Sequence, residues 1–230
     1  MHDIEVKIKE NIKKIKEKIK ERCIKCGRAP EEITIIGVTK TVDVETAKIL
    51  LENGINNLGE NRVQEFLKKY EEIGKNAIWH LIGHLQSNKI KYIVGKTYLI
   101  HSIDSFELLK KINEKSKEKN LITDVLIEVN MSGEETKYGL KEENEILKLF
   151  EGSINLLNIR ICGLMTMAPF TNNEKEIRIP FQKTYKLFEK IKEKFNLKNF
   201  KYLSYGMSND YLIAIEEGAN ILRIGTAFFN

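Results

Sequence analysis

The sequence predicts a (β/α)8 barrel, and three observations carry that expectation. Eight short apolar segments suited to strands alternate with helical patterns along the 230 residues. Such alternation implies a parallel sheet. Several of the strand segments are continuous apolar runs, as expected when helices cover both faces. No G-x-G-x-x-G follows the first strand, which argues against the doubly wound alternative. Barrels of this kind typically take about 250 residues. One compact domain over residues 1–230 is therefore expected.

Residues 3–25 open the chain with Ile4, Ile8, Ile12, Ile15, Ile19 and Cys23 at spacings of three and four. That is an amphipathic helix, and Gly27 supplies its stop. The strand segments follow at 33–39, 56–59, 78–83, 98–103, 123–130, 157–166, 201–205 and 220–225. Helical patterns separate them near 43–53, 61–74, 86–95, 105–119, 141–150, 173–195 and 208–217. Only five residues follow Gly225, so the eighth helix of the outer ring is missing. The N-terminal helix is expected to cover that gap.

Composition narrows the function. Apolar residues make up 42% and charged residues 31%, the balance of a soluble globular chain. Net charge is 38 − 33 = +5, but the lysines lie beside glutamates, as in "KIKENIKKIKEKIKER". No aromatic residues interleave with them, so solvated helix faces are expected rather than a nucleic-acid surface. No apolar run reaches the length of a membrane span. The segment "MHDIEVKIKEN" carries charge throughout and lacks a signal-peptide core. A cytoplasmic protein without a membrane partner is the expectation. Cys23, Cys26 and Cys162 are too few and too odd in number for a disulfide framework. Cys23 and Cys26 form a C-x-x-C with no second pair, which reads as two ordinary thiols and not a metal site.

A barrel keeps its working residues at the C-terminal ends of its strands. The first strand ends "GVTKT", which places Lys40 at the tip of an apolar run. The seventh leads into "YGMSND". There Gly206 permits a tight turn, and Ser208 or Asn209 can cap the next helix. The eighth ends "RIGTA", where Gly225 admits close backbone approach and Thr226 adds a hydroxyl. Each turn alone reads as plain punctuation. In the seventh and eighth positions of a barrel they read together as a phosphate cradle. Arg223, between Leu222 and Ile224, needs partners if it points inward. A salt bridge to a neighbouring strand end and a ligand contact both remain open for it.

An amine, a phosphate cradle and a guanidinium at one mouth fit pyridoxal 5′-phosphate (PLP). Lys40 would form the Schiff base, from a desolvated setting that favours the free amine. An arginine facing the ring nitrogen keeps it unprotonated and weakens the electron sink.

In order along the chain stand "GVTKT", "GENRVQEF", "WHLIGHLQSNK", "HSIDS", "CGLMTMAP", "LSYGMSNDYLIAIEEGAN" and "RIGTAFF". With these the chain resembles the YggS/PROSC family of pyridoxal-phosphate homeostasis proteins. The resemblance implies a fold-type III barrel of the alanine racemase N-terminal kind. It also implies a protein that binds PLP without established turnover and buffers the cofactor or delivers it to apo PLP-dependent enzymes. A monomer is expected. By motif, Lys40 is the Schiff-base lysine. Ser204, Gly206, Met207, Ser208, Asn209, Gly225 and Thr226 hold the phosphate, Arg223 faces the ring nitrogen, and Asn61 contacts the ring or its hydroxyl. His80, His84, Gln86 and Asn88 match a family stretch without an assigned role. Many bacterial members carry a second lysine two positions after the first, and here that position is Val42. The alternative function is a small PLP-dependent amino-acid racemase. Racemases of this fold take a second catalytic group from a C-terminal β domain, for which no residues follow the eighth strand here. His84, Tyr205 and Tyr211 are the mouth residues from which a second acid–base group would have to come.

Overall fold

The computed structural model describes residues 2–135 and 137–230. Eight strands form one closed, wholly parallel barrel in chain order. They are β1 (Thr34–Val38), β2 (Asn57–Glu60), β3 (Ile78–Leu81), β4 (Leu99–Ile103), β5 (Thr123–Glu128), β6 (Ile159–Met165), β7 (Tyr202–Ser204) and β8 (Ile221–Ile224). β8 pairs with β1 through Thr34 to Gly37, which completes the circle. Seven of the strands fall within the segments expected for them, trimmed at the ends, and β2 runs one residue beyond its expected 56–59, to Glu60.

The helices are α1 (His2–Lys25), α2 (Val44–Glu52), α3 (Val63–Ile73), α4 (Ile90–Ile93), α5 (Phe106–Glu118), α6 (Glu143–Ser153), α7 (Glu174–Phe195), α8 (Tyr211–Glu216) and α9 (Thr226–Phe229). Side chains at the expected places start several of them. Asp43 accepts from Thr46 N at 2.9 Å, and Ser105 accepts from Leu108 N at 3.3 Å, each satisfying a donor that the first turn leaves free.

α1 lies against α2, α8 and α9, so it fills the gap in the outer ring as expected. Ile8, Ile12, Ile15, Ile19 and Cys23 form its buried stripe, whereas Ile4 is exposed. Asn11 ties α1 to the final turn by donating to Phe228 O and Asn230 O. Arg22 and Arg178 both pair with Glu216, which joins α1, α7 and α8 at the rim of the ring. Cys23 is buried and Cys26 exposed; both are free thiols.

Two helices are shorter than their patterns. The stretch expected at 86–95 is a 3-10 turn over Ser87–Lys89 followed by the single turn of α4. The helix expected from 208 begins only at Tyr211. The Asp210 carboxylate accepts from Met207 N at 2.5 Å and folds residues 207–210 into a separate turn.

Inside the barrel, Ile36, Leu99, Leu126, Cys162, Met165 and Ile221 form a cluster of their own. It fills the space between the strands as in a packed core, not a pore. A larger apolar shell joins the outer strand faces to the helices.

Candidate functional site

The turns after β1, β2, β3, β6, β7 and β8 converge on one cavity of about 290 Å³ at the C-terminal mouth of the barrel. That is the small end of the range for ligand pockets. Lys40, Asn61, Met207, Ser208, Asn209, Arg223, Gly225 and Thr226 all line it. The topology therefore brings together eight of the ten residues singled out in the sequence. Ser204 and Gly206 are not on the wall. Both are buried, one beneath Arg223 and one against α8.

Lys40 is exposed at the turn that follows β1. The expectation of a desolvated amine is thus not met: the strand is buried but its tip projects into the open mouth. Asn61 is held by a close backbone fit. A side chain at Gly83 would come within 2.3 Å of Asn61 O, so only glycine lets the turns after β2 and β3 pack together.

On the far wall, Ser208 does not cap α8, the helix that follows it, as expected. Its Oγ accepts instead from Gly225 N at 3.3 Å and from Ala227 N at 3.2 Å, at the start of α9. The Ser208 hydroxyl, the Gly225 N–H it accepts from and Thr226 therefore meet on the cavity wall, polar groups of the kind an anion takes. Gly206 has φ +92° and packs its Cα face on α8, where an added Cβ would stand 2.5 Å from Ala214 Cβ. Its conformation folds the segment that carries Ser208 to the cavity.

Arg223 is only 4% exposed. Among the described residues it forms no salt bridge. It donates through Nη1 to Ser204 O (2.6 Å) and Ser204 Oγ (2.7 Å), and through Nη2 to Thr166 O at 3.0 Å. A guanidinium has five N–H donors, so two remain beyond these three bonds. Burial lowers its pKa to about 10, against the opposing pull of Glu128 and Asp210, and it stays cationic at neutral pH.

Behind Arg223 runs a buried polar chain. Ser204 Oγ lies 2.9 Å from His101 Nδ1, His101 Nε2 3.0 Å from His80 Nδ1, and His80 Nε2 3.0 Å from Asn57 Oδ1. Burial holds His80 down to about 3 and His101 well below its usual value, so both rings are neutral. The direction of every bond follows. Asn57 Oδ1 only accepts, so His80 donates from Nε2 and accepts at Nδ1. His101 then donates from Nε2 and accepts at Nδ1 from the Ser204 hydroxyl. Ser204 in turn accepts from Arg223. The histidines are a satisfied network that supports the arginine, not free bases.

The residues considered as a second acid–base group lie elsewhere. Tyr205 is fully buried, donates to Glu217 O at 2.6 Å and stacks on Phe181. Tyr211 lines a neighbouring cleft of about 460 Å³ between α1, α7 and α8, on the other side of Ser208 and Asn209 from the mouth cavity. His84 stands at the rim, with Nδ1 3.2 Å from Asp104 Oδ2 and its ring stacked on Tyr138. Gln86 and Asn88 are exposed.

Three buried charged residues near the mouth were missed. Glu128 ends β5 with its pKa pushed up to about 7 by burial. Glu60 ends β2, and Lys69 on α3 pairs with it at 2.6 Å. A signal for Lys69 exists: Phe66, Lys69 and Ile73 share one helical face, and that face is buried.

A strand-tip lysine and a strand-8 arginine at the mouth of a closed parallel barrel define a class. Residues 6–230 match the family model described as alanine racemase, N-terminal domain. An alanine racemase from Clostridium difficile 630 superposes with a TM-score of 0.76 over 96% of this chain and 59% of its own, at 21% identity, which speaks for the fold. Within that class the chain belongs to the pyridoxal phosphate homeostasis protein family. The member from Aquifex aeolicus is 42% identical over 221 residues, covering 96% of each chain. The Escherichia coli K12 member is 32% identical over 227 residues, covering 96% of this chain and 95% of its own. PipY of Synechococcus elongatus, solved with PLP bound, superposes with a TM-score of 0.81 at 27% identity, over 92% of this chain and all of its own.

Proposed function

We propose that this protein binds pyridoxal 5′-phosphate at the barrel mouth and serves in homeostasis of the cofactor rather than in turnover of a substrate. The observation that carries this reading is the convergence of Lys40, Arg223 and the Ser208–Gly225 donor set on one cavity. The names of its relatives and the PLP-bound structure of PipY support it. When bound, the cofactor supplies an aldehyde carbon able to form a Schiff base with an amine. Lys40 is the amine of this chain that lines the cavity. Ser208, Gly225 and Thr226 take the phosphate, and Arg223 points its remaining donors at the ring nitrogen. A cation there leaves that nitrogen without a proton, so the ring is held in a poor state for carbanion chemistry.

The non-catalytic reading rests on the same residues. Racemisation needs acid–base groups on two faces. Neither Tyr205 nor Tyr211 lines the cavity, and His84 is committed to Asp104 and Tyr138 at the rim. Delivery to apo enzymes, a monomeric state and a cytoplasmic location complete the proposal. Among the described residues no helix is long and apolar enough to cross a membrane.

Borohydride reduction of the PLP-loaded protein, followed by peptide mapping, is expected to place the pyridoxyl group on Lys40. A label uniquely on another lysine would refute the site. Alanine and serine in heavy water are expected to show no exchange at ordinary enzyme rates, roughly 1–10³ per second; exchange at such rates would restore the racemase.

A further inference from the structure

Thr39, the residue before Lys40, is tied at every polar atom. Its N–H donates to Gly59 O at 3.0 Å. Its hydroxyl donates to Glu60 Oε1 at 2.6 Å. Its carbonyl accepts from Lys69 Nζ at 2.7 Å and from Val42 N at 3.2 Å. Lys69 Nζ also donates to Glu60 Oε1 at 2.6 Å. Thr39 and Glu60 are fully buried and Lys69 is 3% exposed. Among the described residues, Glu60 Oε2 is the one buried side-chain polar atom without a partner.

A buried ion pair with an unsatisfied oxygen is a poor way to stabilise a fold. Apolar residues of similar size would often serve as well or better. Its position suggests another use. Lys40 is exposed, and among the described residues no hydrogen bond or ion pair of its amine is seen. The direction in which that amine leaves the strand is therefore set by the backbone of the turn, which the pair grips at the Thr39 carbonyl and hydroxyl.

We propose that Glu60 and Lys69 are positioning residues that aim Lys40 at the carbonyl of its ligand. The proposal rests on Lys40 as the linking amine. In that step the neutral amine adds to the aldehyde carbon, a C=N bond replaces C=O, and the oxygen leaves as water with the two amine protons. No oxidant or reductant is needed. The pair contributes geometry to this step and no proton.

The test compares Glu60→Gln, Lys69→Met and the double variant with the parent. Three quantities are measured: thermal midpoint, the rate of borohydride-trappable linkage at Lys40, and affinity for pyridoxine 5′-phosphate. The last compound carries the phosphate and ring but no aldehyde, so it reports the cavity without the link. Each single variant strands one buried charge and is expected to melt lower. The double variant removes both charges and is expected to regain much of the midpoint. It should still link slowly, by up to about 10²-fold as for a displacement near 1 Å, while pyridoxine 5′-phosphate binds as in the parent. A double variant that links at the parental rate would overturn the proposal and leave the pair a purely structural one. So would a parallel loss of linkage and of pyridoxine 5′-phosphate affinity, which indicates a collapsed cavity. Absence of the link from Lys40 in the parent would overturn the site itself, and the clamp with it.

Discussion

Among single residues, the buried titratable groups set the pH response. His80 is held at about 3 and His101 well below its usual value, so neither takes a proton in the folded barrel near pH 5. The unfolded chain protonates both below about 6.5. Glu128 works the other way. Its folded pKa of about 7 exceeds the ordinary 4.5, so the native state binds a proton that the unfolded chain does not. Between pH 6.5 and 4.5 the unfolded state gains two protons from these groups and the native state keeps one. Stability should then fall by roughly 1.4 kcal/mol per pH unit on acidification. Glu128→Gln removes the native proton and should steepen that slope to roughly 2.8 kcal/mol per unit. It should also raise stability above pH 7, where the buried carboxylate otherwise ionises. Denaturant unfolding from pH 8 to 4.5 checks both signs; an unchanged slope in the variant would refute the role given to Glu128. The two histidines could be named from the sequence, but their chain to Arg223 could not. It links β2, β3, β4, β7 and β8, and its step from His101 to Ser204 joins β4 to β7, strands that are not neighbours in the sheet and meet only because the barrel closes.

At the level of elements, short turns matter more than long helices. The helical patterns of α5 and α7 were legible because long amphipathic periods leave little choice of face. The start of α8 was misread by three residues because an acidic side chain, Asp210, captures the Met207 N–H and competes with helical bonding. Gly206 sits at the head of this turn with φ +92°. Gly206→Ala meets both a disfavoured backbone and Ala214 Cβ, and should cost more than about 1 kcal/mol. Because that turn carries Ser208 to the cavity, affinity for PLP should fall with it. Equilibrium unfolding and cofactor titration measure the two effects. A variant as stable as the parent would mean that the turn relaxes freely.

For the molecule as a whole, the cavity is walled by turns from six of the eight strands. Ligand binding therefore couples to the integrity of the entire barrel. A ligand that binds only the folded state at 100 times its dissociation constant adds about 2.7 kcal/mol. PLP should raise the thermal midpoint accordingly. Pyridoxal without phosphate should raise it far less at equal concentration, because charge-assisted bonds of roughly 1.5–3 kcal/mol each are lost. Equal shifts would refute the phosphate cradle at Ser208, Gly225 and Thr226. α1 belongs to the same scale: its stripe from Ile8 to Cys23 is buried against elements from the opposite end of the sequence.

By itself the sequence determined the order of strands and helices, the barrel they close, and the family. Those properties reside in local periodicity and in motifs short enough to be read along the chain. It also marked Lys40, Arg223 and the two turns of the donor wall, because a barrel sends every strand end to the same mouth. Only the tertiary structure decided that Lys40 stands exposed, that Ser204 and Gly206 lie behind the wall, and that Arg223 rests on carbonyls and a hydroxyl. It alone joined Glu60 to Lys69 under Thr39. Burial and hydrogen-bond partnership are properties of what neighbouring strands and helices bring into contact. For these residues the neighbours lie as far apart along the chain as Thr39 and Lys69, or Arg223 and Thr166.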